Sequence, residues 1–176
     1  MKIETERTII RLPKTSDFNF LKEMWLNGEV MKYVGFPNGL KVSDEDINSW
    51  VNNANENRMR LIVDDRETGQ PIAETGWQKD TKYPYANGRK SASLDIKIVK
   101  PFWGRGYGTE ILKALIDYIF QNTSLEVLFV DPNIENAGAI RLYEKLGFEK
   151  IGEPTLYTKR VQIPINNQNM EIKKPS

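Results

Sequence analysis

Val99-Lys100-Pro101-Phe102-Trp103-Gly104-Arg105-Gly106-Tyr107-Gly108-Thr109-Glu110 is the stretch on which the reading of this chain turns. An alternating segment precedes it and a long amphipathic segment follows, so three glycines in five residues fall where a strand becomes a helix. Glycine accepts positive φ and lets backbone amides crowd around a guest, and the first turn of a helix carries amides without intrahelical acceptors. Such a corner is a nest for phosphate, although glycines can also serve only a tight turn and a helix start.

The flanks strengthen the functional reading. Ile111, Leu112, Leu115, Ile116, Ile119 and Phe120 share one helical face, with Glu110, Lys113, Asp117 and Gln121 opposite. A dinucleotide fingerprint needs a small residue at Thr109 and a Walker loop needs Gly-Lys-Ser/Thr, so neither fits. On the other side Ala92, Leu94, Ile96 and Ile98 alternate with Ser93, Asp95, Lys97 and Val99 as a strand. Val127 to Val130 forms the next strand after the helix, which makes a βαβ unit whose two strands lie parallel.

Working outward, Thr8 to Leu12 reads as the first strand. Ser16 or Asp17 caps a helix carrying Phe18, Leu21, Met24 and Trp25, and Gly28 ends it. Ser43 with Asp46 opens a polar helix running to about Asn57, a candidate flank for a substrate groove. Met59 to Val63 and Pro71 to Trp77 form a hairpin, and Lys79 to Lys90 is a loop. Asn136 to Leu146 is a helix stopped by Gly147, and Phe148 to Ile151 is extended. Val161 to Ile165 and Met170 to Lys173 read as a closing hairpin about Asn166-Asn167. The fold class is therefore α/β (α+β), a mixed central sheet of about six or seven strands flanked by helices, with residues 1–176 as one domain.

Composition bounds the chemistry. Lysine and arginine number 25 against 24 acids, a formal charge of +1, so neither a nucleic-acid nor a membrane partner is expected. The start, MKIETERTII, is no signal peptide and no apolar run reaches membrane-spanning length, so a cytoplasmic location is expected. With no cysteine and no histidine, a thiolate nucleophile, a Ser-His-Asp triad and the commoner zinc sites are excluded. A proton acceptor near neutral pH must be Asp, Glu, Lys, Tyr or an ordered water.

The glycine corner, together with Asn136, Ala139, Tyr143, Gly147 and Phe148 in the segment Asp131 to Phe148, resembles the GCN5-related N-acetyltransferases. Their pattern is Arg/Gln-x-x-Gly-x-Gly/Ala, then Asn-x-x-Ala-x-x-x-Tyr-x-x-x-Gly-Phe, and the resemblance is close over residues 91–151. The segment MWLNGEVMKYVG looks like the ribosomal-protein branch of that family, while Asp131-Pro132 and AIRLYEKLGF look like aminoglycoside 6'-N-acetyltransferases. One departure is Trp103, which stands where Arg or Gln is usual.

The resemblance implies acetyl-CoA as cosubstrate without a metal. Pyrophosphate would rest on the amides of Arg105, Gly106, Tyr107, Gly108 and Thr109, and the pantetheine arm along Ile96 to Ile98, with Asn136 touching it. Arg105 could add charge or be a solvated turn residue. Tyr143 would protonate the departing thiolate, and the N–H near Ile98 would polarise the thioester carbonyl. Glu74, Asp95 and Asp131 are all candidates for the base, Asp95 because it shares a face with Lys97 in a strand expected to be apolar throughout. The acceptor is an amine: arylamine, polyamine, aminoglycoside, protein N-terminus or lysine. The protein would act as monomer or homodimer. A non-catalytic acyl-CoA sensor on the same fold is the competing class.

Overall fold

The computed structural model describes residues 1–175. An eight-stranded sheet runs in the order β1-β2-β3-β4-β5-β6-β10-β7, and a separate two-stranded sheet joins β8 to β9. The strands are β1 (Lys2–Glu4), β2 (Thr8–Arg11), β3 (Arg58–Asp65), β4 (Pro71–Lys79), β5 (Ser91–Ile98), β6 (Val127–Val130), β7 (Glu149–Lys150), β8 (Thr155–Tyr157), β9 (Ile165–Asn167) and β10 (Met170–Lys173). The helices are α1 (Phe18–Leu26), α2 (Gly28–Met31), α3 (Asp44–Asn52), α4 (Tyr107–Asn122) and α5 (Ala137–Lys145). Every pairing in the large sheet is antiparallel except β5 with β6. The expected βαβ unit is thus present, in a sheet longer than the six or seven strands expected.

The strand period sorts residues between two helical layers. Met59, Leu61 and Val63 of β3 and Ala92 and Leu94 of β5 pack against α4, whose Ile111, Leu112, Leu115 and Ile119 are completely buried. Each such side chain contributes about 1.5–3 kcal/mol on leaving water, so this face anchors the fold. Ile62 points the other way and meets Leu21 of α1 and Ile47 of α3. The loop after β4 is packed down as well, because the Tyr83 ring stacks on Phe129 of β6 at 3.9 Å.

Four local expectations are corrected. A short strand, β1, precedes the one expected first and pairs with it. Gly28 does not end α1; it opens α2 behind an Asn27 cap, and a Cβ there would lie 2.1 Å from the Pro37 carbonyl. The helix α3 keeps its Ser43–Asp46 capping box but stops at Asn52. Beyond it the Asn55 side chain accepts from the N–H groups of Asn57 and Arg58, offering the backbone a turn instead of a further helical rung. At the C-terminal end the expected hairpin is absent. Ile165–Asn167 pairs back to Thr155–Tyr157, and Met170–Lys173 inserts between β6 and β7.

Candidate active site

At the glycine corner a single 3-10 turn, Lys100–Phe102, carries the chain out of β5. Gly104 and Gly106 then take φ values of 68° and 83°, where a side chain is strained. Gly106 occupies the N-cap of α4 without any side-chain cap, and the first intrahelical bond runs from the Glu110 N–H to the Gly106 carbonyl at 3.1 Å. The N–H groups ahead of it therefore face outward at the positive end of a 16-residue helix. Open space surrounds them. A Cβ on Gly104 would meet nothing within 4 Å, and one on Gly106 only the Arg7 guanidinium.

The side chains around this cradle divide their work. Tyr107 is buried and its hydroxyl donates to Asp65 at 3.2 Å, so it offers the cradle only main chain. Gly108 lets α4 approach α5, since a Cβ there would stand 3.0 Å from Leu142. Arg105 donates weakly to the Pro101 carbonyl at 3.3 Å. The nearer cation is Arg7, whose Nη1 donates to the Arg105 carbonyl at 2.9 Å while its Nε donates to Glu110 at 2.7 Å. Arg7 went unnoticed in the sequence because it lies some hundred residues away in chain order, joined to the corner only by the β1–β2 turn.

From the cradle a slot leads inward. The parallel strands β5 and β6 pair only at Ser91, Ala92 and Ser93, after which they part. Since the Val99 N–H bonds to Ile72 of β4, alternation turns the main-chain groups of Ile96 and Ile98 away from β4 and into the gap. The Ile98 carbonyl is taken by the Trp103 indole N–H at 2.6 Å, which leaves the Ile98 N–H. Asn136 caps α5, its Oδ1 accepting from the Ala139 N–H at 3.1 Å, so the amide NH2 is not consumed by the cap.

Tyr143, Asp95 and Asp131 converge where the slot ends. The Tyr143 ring lies against Phe148, and burial, followed by the fields of Asp95 and Asp131, raises its hydroxyl well above the usual phenol range. The two acids are set apart by their surroundings. Asp95 has a side chain 63% exposed; the surrounding protein atoms favour its neutral form, but the paired Lys97 ammonium and then Arg60 outweigh them and hold the carboxyl low. Asp131 has no such cation: its side chain is open to solvent on one side, but the protein atoms packed around it first, and then the charge of Asp95, raise it, opposed by hydrogen bonds from Asn167 and Tyr157. Asn167 of β9 donates to Asp131 at 3.4 Å, and its own Oδ1 is buried without a partner.

Residues 7–149 match the family described as the acetyltransferase (GNAT) domain. The chain belongs to the GNAT acetyltransferases. Among curated relatives, an uncharacterized N-acetyltransferase, p20 of Bacillus licheniformis, is 29% identical over 84% of this chain and 82% of its own. Among solved structures, a GNAT acetyltransferase of Bacillus anthracis superposes with a TM-score of 0.80 at 21% identity, covering 99% of each chain. A spermidine N-acetyltransferase of Vibrio cholerae, solved with CoA and spermine, gives 0.79 at 20% identity over 97% of each. This GNAT chain is accordingly an N-acetyltransferase, of a family that uses acetyl-CoA.

Glu74 shares with Asp95 the sheet face toward α1 and α3, and both line one cleft. It is buried, pairs with Arg60 and accepts from the Trp25 indole N–H at 2.6 Å, so its carboxylate is already spent. The Arg60 guanidinium lies 4.1 Å over the Trp50 ring, and burial lowers it to about 10. Lys97, paired to Asp95, sits 4.8 Å over the Trp25 ring. Register explains this lattice: Arg60 faces Gly76, which faces Asp95, and Glu74 faces Lys97. The cleft on this face, of about 220 Å³, is lined among others by Arg60, Glu74, Gly76 and Asp95.

Proposed function

We propose that this GNAT protein, acting as one domain over residues 1–176, transfers acetyl directly from acetyl-CoA to a primary amine of a small molecule or a protein N-terminus. The observation that carries this reading is a continuous track. It runs from the amide cradle at residues 105–109, along the unpaired edge of β5, to a tyrosine hydroxyl faced by two carboxylates. The residues fit the coenzyme: the cradle and Arg7 suit a diphosphate, and Ile96 and Ile98 offer main-chain partners to amides arriving as a strand would. Bound acetyl-CoA supplies an activated thioester, and the chain supplies orientation and proton transfer.

In this reading Asp131 is the proton acceptor. Two acids whose surroundings drive their proton affinities apart divide into a base and a fixed charge, and Asp131 is the one raised toward neutrality. Asp95, kept anionic by Lys97, draws the ammonium in. Asp131 takes one proton from the ammonium, which frees the nitrogen lone pair to attack the acyl carbon, the Ile98 N–H donates to the carbonyl oxygen, and the second proton leaves the nitrogen of the tetrahedral adduct to replace the one that Tyr143 gives up. Tyr143, held protonated by its surroundings, donates its proton to the sulfur as the C–S bond breaks. Arg7 and the amides of residues 105–109 hold the diphosphate, and Asn136 meets the pantetheine arm. Glu74 holds the acceptor wall in place through Arg60 and Trp25 instead of moving protons.

Incubation with acetyl-CoA and a panel of primary amines, with free thiol and acetylated product both measured, tests the proposal. Stoichiometric release with at least one amine is expected. Tight coenzyme binding with no release from any amine would point instead to an acyl-CoA sensor.

A further inference from the structure

The wall beside Asp95 holds one charge that nothing on the protein answers. On this face of the sheet Arg60 is matched by Glu74 and Lys97 by Asp95. Arg58, exposed and two residues before Arg60 on the same face of β3, makes no ion pair among the described residues. It nevertheless lines the cleft with Arg60, Gln78, Ser93 and Asp95, and its charge is felt by the Arg60 guanidinium. The cleft is consequently acidic where it meets the slot and basic at its outer end.

The geometry points to an acceptor that carries an acid group beside its amine, an amino-acid-like zwitterion, with the ammonium toward Asp95 and the carboxylate toward Arg58. This rests on the acetyl-transfer reading above and adds the acceptor class to it. Three observations carry it. Register places Arg58 opposite Gln78, Gln78 opposite Ser93, and Asp95 one step along on the same face. With neighbouring strands about 4.8 Å apart, the Arg58 and Asp95 backbones stand roughly 12 Å from one another, a gap that the two side chains close to the span of a small amino acid. Arg58 and Asp95 both line one open cleft of about 220 Å³, so a single small molecule can reach both. Finally, Arg58 gives a carboxylate an exposed guanidinium that no acid among the described residues pairs, whereas the far ammonium of a polyamine would meet a like charge there.

The experiment measures kcat/KM at saturating acetyl-CoA for free L-amino acids, each beside its own carboxamide, and for spermidine and kanamycin. At least one amino acid is expected to exceed its amide by about tenfold or more, through KM, as a charge-assisted contact predicts. Arg58→Gln is expected to bring that acid-to-amide ratio close to one without changing coenzyme affinity, and Arg58→Lys to keep part of it. Amides equal to their acids, spermidine or kanamycin preferred over every amino acid, or a ratio that survives Arg58→Gln would each overturn the inference while leaving acetyl transfer standing. No amine-dependent thiol release with any of these acceptors would overturn both.

Discussion

In the proposed mechanism Tyr143 and Asp131 do opposite things with a proton, and their surroundings differ accordingly. Burial and two nearby negative charges keep the tyrosine hydroxyl protonated at neutral pH. Removing it by Tyr143→Phe is expected to lower kcat by about 10²–10⁴, the usual worth of a positioned acid, with coenzyme affinity by calorimetry nearly unchanged. Unchanged turnover would remove Tyr143 from its role. If Asp131 is the base it must be ionised to accept a proton, and its raised affinity predicts that the rate falls as pH drops through a midpoint higher than that of an unperturbed aspartate. Asp95→Asn deletes one of the charges that raise Asp131, so the acid limb of kcat should move to lower pH, whereas Asp131→Asn should abolish that limb. A limb that stays put in both variants would place the base elsewhere. The residue types were legible in the sequence, since the absence of cysteine and histidine left carboxylates and tyrosine as candidates. Their ranking was not, because it depends on which acid has a cation beside it: Lys97 serves Asp95, Arg60 serves Glu74, and Asp131 has none.

Among elements, the junction of β5 with α4 is where local sequence says most. Alternation on one side, a 3.6-residue period on the other and glycines between fix a strand, a turn and a helix with little help from the rest of the chain. The open N-terminus of α4 makes a further prediction. Gly106→Asp would put a carboxylate among outward-facing amides at a φ of 83°, occupying the anion's place with an anion. Coenzyme affinity is expected to fall by at least about tenfold, whereas unaltered binding would mean that the diphosphate rests elsewhere. Opposite is the case of β9 and β10. The dipeptide Asn166-Asn167 reads as a turn, yet both residues lie in a strand, because their partners Leu156 and Thr155 are set by tertiary pairing. Strands of three or four residues are too short to leave a periodic trace, which holds for β1 as well.

At the scale of the whole molecule, buried ion pairs fasten the layers. Arg11 of β2 donates to Asp17 ahead of α1, at 2.7 and 2.9 Å, and to Asp64 of β3, joining helix layer to sheet. Burial alone would raise the Asp17 carboxyl, but Arg11 and the Lys14 N–H outweigh it and hold it low. A folded carboxyl held below its unfolded value contributes stability that is present above the unfolded pKa, near 3.9, and lost as pH falls through the folded one. Asp17→Asn should therefore lower Tm at pH 7 by several degrees, and the gap to the parent should narrow below about pH 4. A constant gap from pH 7 to pH 3 would show that the loss is one of packing. The chain's polar clefts were beyond the sequence for the same reason as the acid ranking. Arg58 and Asp95, 37 positions apart, share a wall only because two hairpins bring them into register.

The parting of β5 from β6 after Ser93 gives this fold an unzipped seam through its middle. An arm laid in that seam would act as a guest strand, so the donor would be a temporary part of the architecture as well as a reagent. Loading it would stitch α5 and β10 to the rest of the sheet, and discharging it would unstitch them. The amides of Ile96 and Ile98 should record that cycle, trading deuterium freely in the bare protein and slowly once the seam is closed.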